Sequence, residues 1–371
     1  GYSLQALGFL ALTANTTGHS NNAIGESALA ANTTGSANIA VGNNALDANT
    51  TASNNTAVGY QSLYANTTGS SLVAVGKGAL DANTTSSNST AVGTDALGAN
   101  TTGSDNTALG YAALRDNTTA SNNTAVGYFA LEANTTGTAN VAIGFQSGDA
   151  ITTGDYNTAV GAGSLTTNST GVNNVAVGTS SLGASTGDGN TAIGLSAGGA
   201  ITSGQYNTAL GLVAMSAGAI TGSYNVAIGY NAHSSTVSVS GQFTLGSADI
   251  NNLRCADTSI SALSDSRDKT NIVDIPLGLT FINTVRPVSF DWDARDGSRV
   301  GKKDFGFIAQ ELKTAEDATD YANHMRLVHD ENPDKLEADP MKMFPILVKA
   351  IQELSAQVTA LTERLTTLEG E

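Results

Sequence analysis

The 371 residues carry only 5% aromatic and 13% charged side chains, too little bulky material for ordinary globular cores along the whole chain. A net charge of −16 argues against nucleic acid and an anionic membrane surface as partners, because both are themselves polyanions. No run of about 18 apolar residues offers a membrane insertion, and the lone Cys255 has no intrachain disulfide partner.

The two ends of the chain differ in kind. Residues 1–263 hold three basic side chains, Lys77, Arg115 and Arg254, whereas every proline lies at Pro276 or later. Two compositions imply two folds. The chain opens at Gly1 without a signal peptide, so any anchoring segment is expected upstream.

The tripeptide Ala-(Val/Ile/Leu)-Gly recurs with its alanine at Ala6, Ala23, Ala40, Ala57, Ala74, Ala91, Ala108, Ala125 and Ala142, always 17 residues apart. The series continues at Ala159, Ala176, Ala192, Ala209 and Ala227, with one step of 16 and one of 18 that cancel. Leucines stand six residues after the early alanines, from Leu29 and Leu46 to Leu131, and Asn-Thr-Thr forms a third column at Asn32, Asn66, Asn100 and Asn134. Asn, Thr and Gly exclude a helix, and no 3.6-residue period is present. Residues 17 apart stack directly in parallel coils, which predicts a mainly β fold: a parallel β-solenoid over 1–229 with Asn, Thr and Val/Ile ladders. Fourteen coils at about 4.8 Å each give a shaft of roughly 65 Å.

Along each strand the residues flanking alanine are β-branched or bulky and share one face, while Ala and Gly share the other. The bulky face is expected inside the coil, and the small face forms a seam against another chain. Gly18, Gly35, Gly69, Gly103 and Gly137 are expected to supply positive φ at corners. The repeat resembles the β-roll head repeats of trimeric autotransporter adhesins and similar repeats of phage tail fibres, which implies a homotrimer.

Asn-Thr-Thr reads as a glycosylation sequon, but in a repeat it is more simply a hydrogen-bonded turn ladder. Asp47, Asp81 and Glu132 share one repeat position, two or three coils apart, as a solvated edge. No calcium repeat is present, and His19, His233, His324 and His329 lack ligand spacing, so no metal or cofactor is expected. A glycan hydrolase needs paired acids beside aromatic platforms, whereas Tyr60, Tyr111, Tyr128 and Phe129 stand isolated in the sequence.

Beyond Gly229 the phase is lost, and 230–263 reads as a β-rich transition through Gln242–Gly246 and Leu253. At Ser264-Asp265-Ser266-Arg267-Asp268-Lys269 the composition switches. Gly278-Leu279, Arg286-Pro287-Val288, Phe290-Asp291-Trp292, Gly306-Phe307-Ile308-Ala309-Gln310-Glu311 and Lys349–Leu354 follow in order. These segments resemble the intramolecular chaperone of phage endosialidase tail spikes, an α+β domain over 264–342. That family trimerises, helps upstream β-structure to fold and releases itself with a Ser–Lys dyad. The resemblance implies Ser264 and Lys269 as the catalytic pair, Asp265 and Arg267 in support, and a cut between Ser264 and Asp265. A lysine serves as base at neutral pH only where burial or neighbouring cations disfavour its charge, which assembly could supply. Attack by Ser264 on its own carbonyl would need a four-membered ring, so water or a neighbouring chain's group is the easier nucleophile.

Over 343–371, Leu347, Ile351, Leu354, Val358, Leu361, Leu365 and Leu368 follow 4-3 spacing, the seam of a coiled coil. The a and d identities leave two or three strands open, and the family and shaft resemblances favour a trimer. The expected protein is therefore a homotrimeric fibre on the virion tail that attaches to a host-cell receptor, either a glycan or a surface protein. Upstream tail or anchoring proteins would be its other partners, and its enzymology would be one self-cleaving turnover. A bacterial cell-surface adhesin with the same chaperone is the first alternative, and a glycan-degrading tail spike the second.

Overall fold

A computed structural model of the protein describes residues 3–247, 250, 264–294, 300–330, 332, 334 and 336–370. The chain divides into two compact units between Ser247 and Ala248. In the first, each repeat contributes one short strand. β1 (Leu4–Leu7) and β2 (Asn21–Ile24) precede three-residue strands that run from β3 (Ile39–Val41) through β14 (Val226–Ile228) to β15 (Phe243–Leu245). Among the described residues these form one fifteen-stranded parallel sheet in sequence order, with like residues paired, as Ala108 with Ala125. The uneven repeats are absorbed outside the strands, since Ala176 pairs with Ala192 and Ala209 with Ala227. The expected parallel β-solenoid is what the repeat builds.

The strand faces point opposite to expectation. From Ala23 to Ala227 the tripeptide alanines are fully buried inside their own coil, against leucines such as Leu29, Leu63 and Leu114. The flanking side chains face outward, with Ile39, Val73 and Leu109 39%, 37% and 47% exposed. The coil is flat: one methyl from the strand wall meets one leucine from the turn wall, which leaves no room for Val or Ile inside. The small face is therefore the coil interior and not a seam.

The turn wall holds those leucines at left-handed φ, as at Leu63 and Leu80 (both +52°). That conformation costs about 1–2 kcal/mol per residue. Full burial of a leucine returns about 1.5–3 kcal/mol, so the arrangement is tolerable wherever the side chain fills the coil. Gly148 and Gly198 occupy the same column, and there Ile151 and Ile201 come in three residues later to fill the space.

Polar ladders run beside this thin core. Buried Asn32 donates through Nδ2 to Asn15 Oδ1 and receives Asn49 Nδ2 on its own Oδ1, both at 2.8 Å, and the column continues to Asn134. Ile151 replaces the next asparagine, which leaves Asn134 Oδ1 buried without a partner. A second column begins at Asn21: its Oδ1 accepts from Asn38 N at 2.9 Å, while its Nδ2 donates to Gly35 O at 2.8 Å. Thr33 Oγ1 donates one coil onward to Thr50 O at 3.0 Å. The ladders satisfy polar groups that a coil this thin could not otherwise bury.

Two further expectations change. The sheet passes Gly229, since Phe243 pairs with Val226 and Gln242 N donates to Asn225 Oδ1 at 3.0 Å. Thr244 stands in the alanine column, which hides the motif while the 17-residue register persists. Leu253 and the rest of 251–263 lie outside the described residues. Nor do the corner glycines take positive φ; at Gly103 the constraint is space, because a Cβ would lie 2.1 Å from Ala120 O. Ala52, Ser86 and Ala120 occupy that column, so small shifts admit a methyl there. The tripeptide glycine is the demanding one: Gly93 has φ +138°, and a Cβ would lie 2.2 Å from Gly110 O, main chain against main chain.

The second unit is a small helix-and-sheet domain. α1 (Leu279–Ile282), β16 (Val288–Asp291), β17 (Lys303–Gly306), α2 (Ala309–Asp317), α3 (Ala322–Met325), β18 (Val328–His329), β19 (Glu337–Ala338) and the 26-residue α4 (Phe344–Glu369) follow in order. β16 pairs antiparallel with β17, and β18 with β19. Phe281, Leu312, Met325, Leu327, Met343 and Ile346 form its core.

Gly93→Ala should lower stability by about 1–3 kcal/mol from backbone conformation alone, with steric overlap added. Gly103→Ala should cost far less. Thermal unfolding followed by circular dichroism distinguishes them, and equal losses would contradict the packing described.

Candidate self-cleavage site and chaperone module

Ser264 and Lys269 stand on either side of a single 3₁₀ turn, Ser266–Asp268. Asp265 caps that turn by accepting from Arg267 N at 2.9 Å, and its carboxylate is also gripped by the Arg267 guanidinium, with Nε to Oδ1 at 3.0 Å. The guanidinium contact, followed by the backbone donor, holds the Asp265 carboxyl below its ordinary value. The pair therefore persists at neutral pH and is lost only as pH falls beneath the usual carboxylate range. The turn folds the chain back so that Lys269 Nζ lies 2.7 Å from Ser264 Oγ and 3.3 Å from the Ser264 carbonyl oxygen. Serine, lysine and the carbonyl of the Ser264–Asp265 peptide thus meet at one point. Both side chains are exposed in one chain.

The rest of the module is braced from several directions. Glu353 on α4 accepts from Leu279 N at 2.8 Å, capping α1 from another element. A Cβ at Gly278 would meet the Glu353 carboxylate at 2.4 Å and displace it from this cap. Arg286 pairs with Glu311 through Nε to Oε2 at 2.9 Å, and buried Glu316 accepts from Leu327 N at 2.8 Å. The sequence offers no signal for the Glu353 cap, which joins residues 74 apart.

α4 shows two characters. Ile346 and Ala350 are buried against the module, while Leu347, Ile351, Leu354, Val358, Leu361, Leu365 and Leu368 are 40–68% exposed. From Ser355 to Gly370 every residue is exposed, so the 4-3 seam is unpartnered within one chain.

In the shaft the structure gathers side chains that the sequence scatters. Tyr111, Tyr128 and Phe145 stack across consecutive coils at 5.2 and 5.5 Å, and Phe129 tilts against Tyr128 at 4.2 Å, so these aromatics are not isolated. Their 17-residue spacing was the available signal. The column of Asp47, Asp81 and Glu132 also holds Arg115 and Asp149, and Arg115 pairs with Glu132 as well as Asp116. Burial raises the Asp47 and Asp81 carboxyls above their ordinary values, so this edge is partly enclosed rather than fully solvated.

Fold and site together define a parallel β-solenoid followed in sequence by a small helix-and-sheet domain that opens on a Ser–Lys turn. Residues 264–324 match the family model Peptidase_S74, described as chaperone of endosialidase, and the match begins at Ser264. No curated protein matches the chain. No helix among the described residues is long and apolar enough to cross a membrane.

If the dyad cuts, wild-type protein should yield fragments ending at Ser264, whereas Ser264→Ala and Lys269→Ala should remain at 37.4 kDa. Intact-mass spectrometry after prolonged incubation checks this. A wild-type chain that stays whole, or a cut elsewhere, contradicts it.

Proposed function

We propose that the protein is a homotrimeric extracellular fibre, a phage tail fibre for host attachment, whose C-terminal module sets three chains in register and then leaves by one cut. The observation that carries the reading is the meeting of Ser264 Oγ, Lys269 Nζ and the Ser264 carbonyl, at 2.7 and 3.3 Å, where the chaperone match begins.

In the cut, a water held by Ser264 Oγ, which itself lies 2.7 Å from Lys269 Nζ, adds to the Ser264 carbonyl carbon and the C–N bond to Asp265 breaks. The electron pair stays on the Asp265 nitrogen. Lys269, as the neutral amine, takes the proton shed by the attacking oxygen and returns it to that nitrogen, and the new carboxyl passes its remaining proton to the freed amine, leaving a Ser264 carboxylate and an Asp265 ammonium. Asp265 and Arg267 hold the turn that sets this geometry. Packing of neighbouring copies around the exposed Lys269 disfavours its ammonium form, so cutting waits for assembly.

Two exposed apolar rows support association of copies. One is the 4-3 seam of α4. The other is the residue after the alanine column, from Leu7 and Ile24 through Val126 to Leu245, which is aliphatic in all fifteen strands and nowhere fully buried. A face left in water has no reason to be aliphatic at every coil, whereas a seam between identical parallel chains does.

Light scattering on the uncut Ser264→Ala protein should give three times 37.4 kDa. Leu354→Asp combined with Leu361→Asp should abolish the trimer and the cut together. The chain ending at Ser264, made without the module, should aggregate, whereas the same chain released by cleavage should be a soluble, heat-resistant trimer. A monomeric uncut protein, or equal trimer from both preparations, contradicts the proposal.

A further inference from the structure

Among the described residues the shaft carries one run of three stacked rings, besides a two-ring stack of Tyr206 on Tyr224. The position after each tripeptide glycine faces solvent: it is polar at Glu26, Asn43, Lys77 and Thr94, and singly placed Phe9, Tyr60 and Tyr230 in it are exposed. At three consecutive coils it carries Tyr111, Tyr128 and Phe145, 46%, 45% and 53% exposed. Their planes lie within 15° and 8° of parallel at centroid separations of 5.2 and 5.5 Å. Two rings lying squarely face to face would sit at about 3.5–4.0 Å. These rings are therefore offset, like slats, and each leaves part of one face open.

Beside the slats lie the only arginine described in the shaft and its acids. Arg115 Nε pairs with Asp116 Oδ1 at 2.8 Å and Nη1 with Glu132 Oε1 at 2.5 Å, and Asp149 stands one coil beyond Glu132. Open ring faces attract the C–H faces of pyranose rings, and partly exposed carboxylates and a guanidinium accept from and donate to hydroxyls. Three carboxylates against one cation, on a chain of net charge −16, repel acidic sugars.

We propose that Tyr111, Tyr128 and Phe145, with the Arg115–Glu132 pair, form a lateral binding patch for neutral hexose chains. The patch gives the attachment role proposed above a location and a ligand class, and it rests on that reading. It is a binding surface only, and the fibre holds the sugar without changing it.

The test uses affinity electrophoresis of the full chain through gels containing dextran, mannan or galactan, with hyaluronate and polygalacturonate as acidic contrasts. Wild-type protein should be retarded by at least one neutral polymer and by neither acidic one. The variant Tyr111→Thr, Tyr128→Thr, Phe145→Thr should bind about tenfold more weakly with unchanged mass and thermal midpoint. Threonine is the native residue of this column at Thr94 and Thr179, so the coil accepts it. Absence of retardation by all three neutral polymers overturns the proposal, as does preference for the acidic ones. Undiminished binding by the variant overturns it too, and a changed oligomeric mass would place the rings in a contact between copies instead. Cleavage and trimer mass are read on the same preparations, so failure here with both intact counts against the patch and leaves the fibre standing.

Discussion

Each coil rests on the next at the spacing of hydrogen-bonded strands, and at Gly93 and its equivalents the main chains meet with no room for a side chain. The turns, with leucines such as Leu63 at left-handed φ, make the coil flat, so that it admits only a methyl from the strand and one leucine from the turn. A core this thin cannot stabilise a repeat by itself, so stability comes from what runs along the axis: the asparagine and threonine ladders and the stacked alanines and leucines. The same flattening turns the Val, Ile and Leu flanks outward, where water meets them unless another surface covers them.

Periodicity made the solenoid legible, because residues stacked on their own copies must recur at the coil length. It did not say which strand face was inside. Bulk argued for Val and Ile, and the deciding quantity, the distance between the two walls, is set by turn geometry and left-handed leucines such as Leu63, which have no sequence signature. Thr244 shows the opposite limit, where one substitution in the alanine column concealed a strand that keeps the register. In the C-terminal module the Ser264–Lys269 spacing was readable from the motif, since one turn joins the two residues. The Glu353 cap on α1 was not, because it joins distant segments.

On the proposed reading, the uniformity that builds the shaft also endangers its assembly. A chain displaced by one whole repeat against its neighbour would find nearly the same aliphatic row, so slipped trimers differ little locally from the correct one. A module that associates through α4 fixes the three chains at one end, and the shaft closes from there. Once closed, it persists through slow unfolding rather than through the module, which can then be cut away.

In the proposed mature fibre the aliphatic row beside the alanine column is covered by other copies. Thiol reactivity tests it directly in a Cys255→Ser background, with one cysteine placed at Val126 and, separately, one at Thr94. In the native fibre the cysteine at position 126 should resist maleimide while that at position 94 reacts fully, and both should react after denaturation. Equal, rapid labelling of both in the native fibre would show that the aliphatic row faces water and would contradict the account.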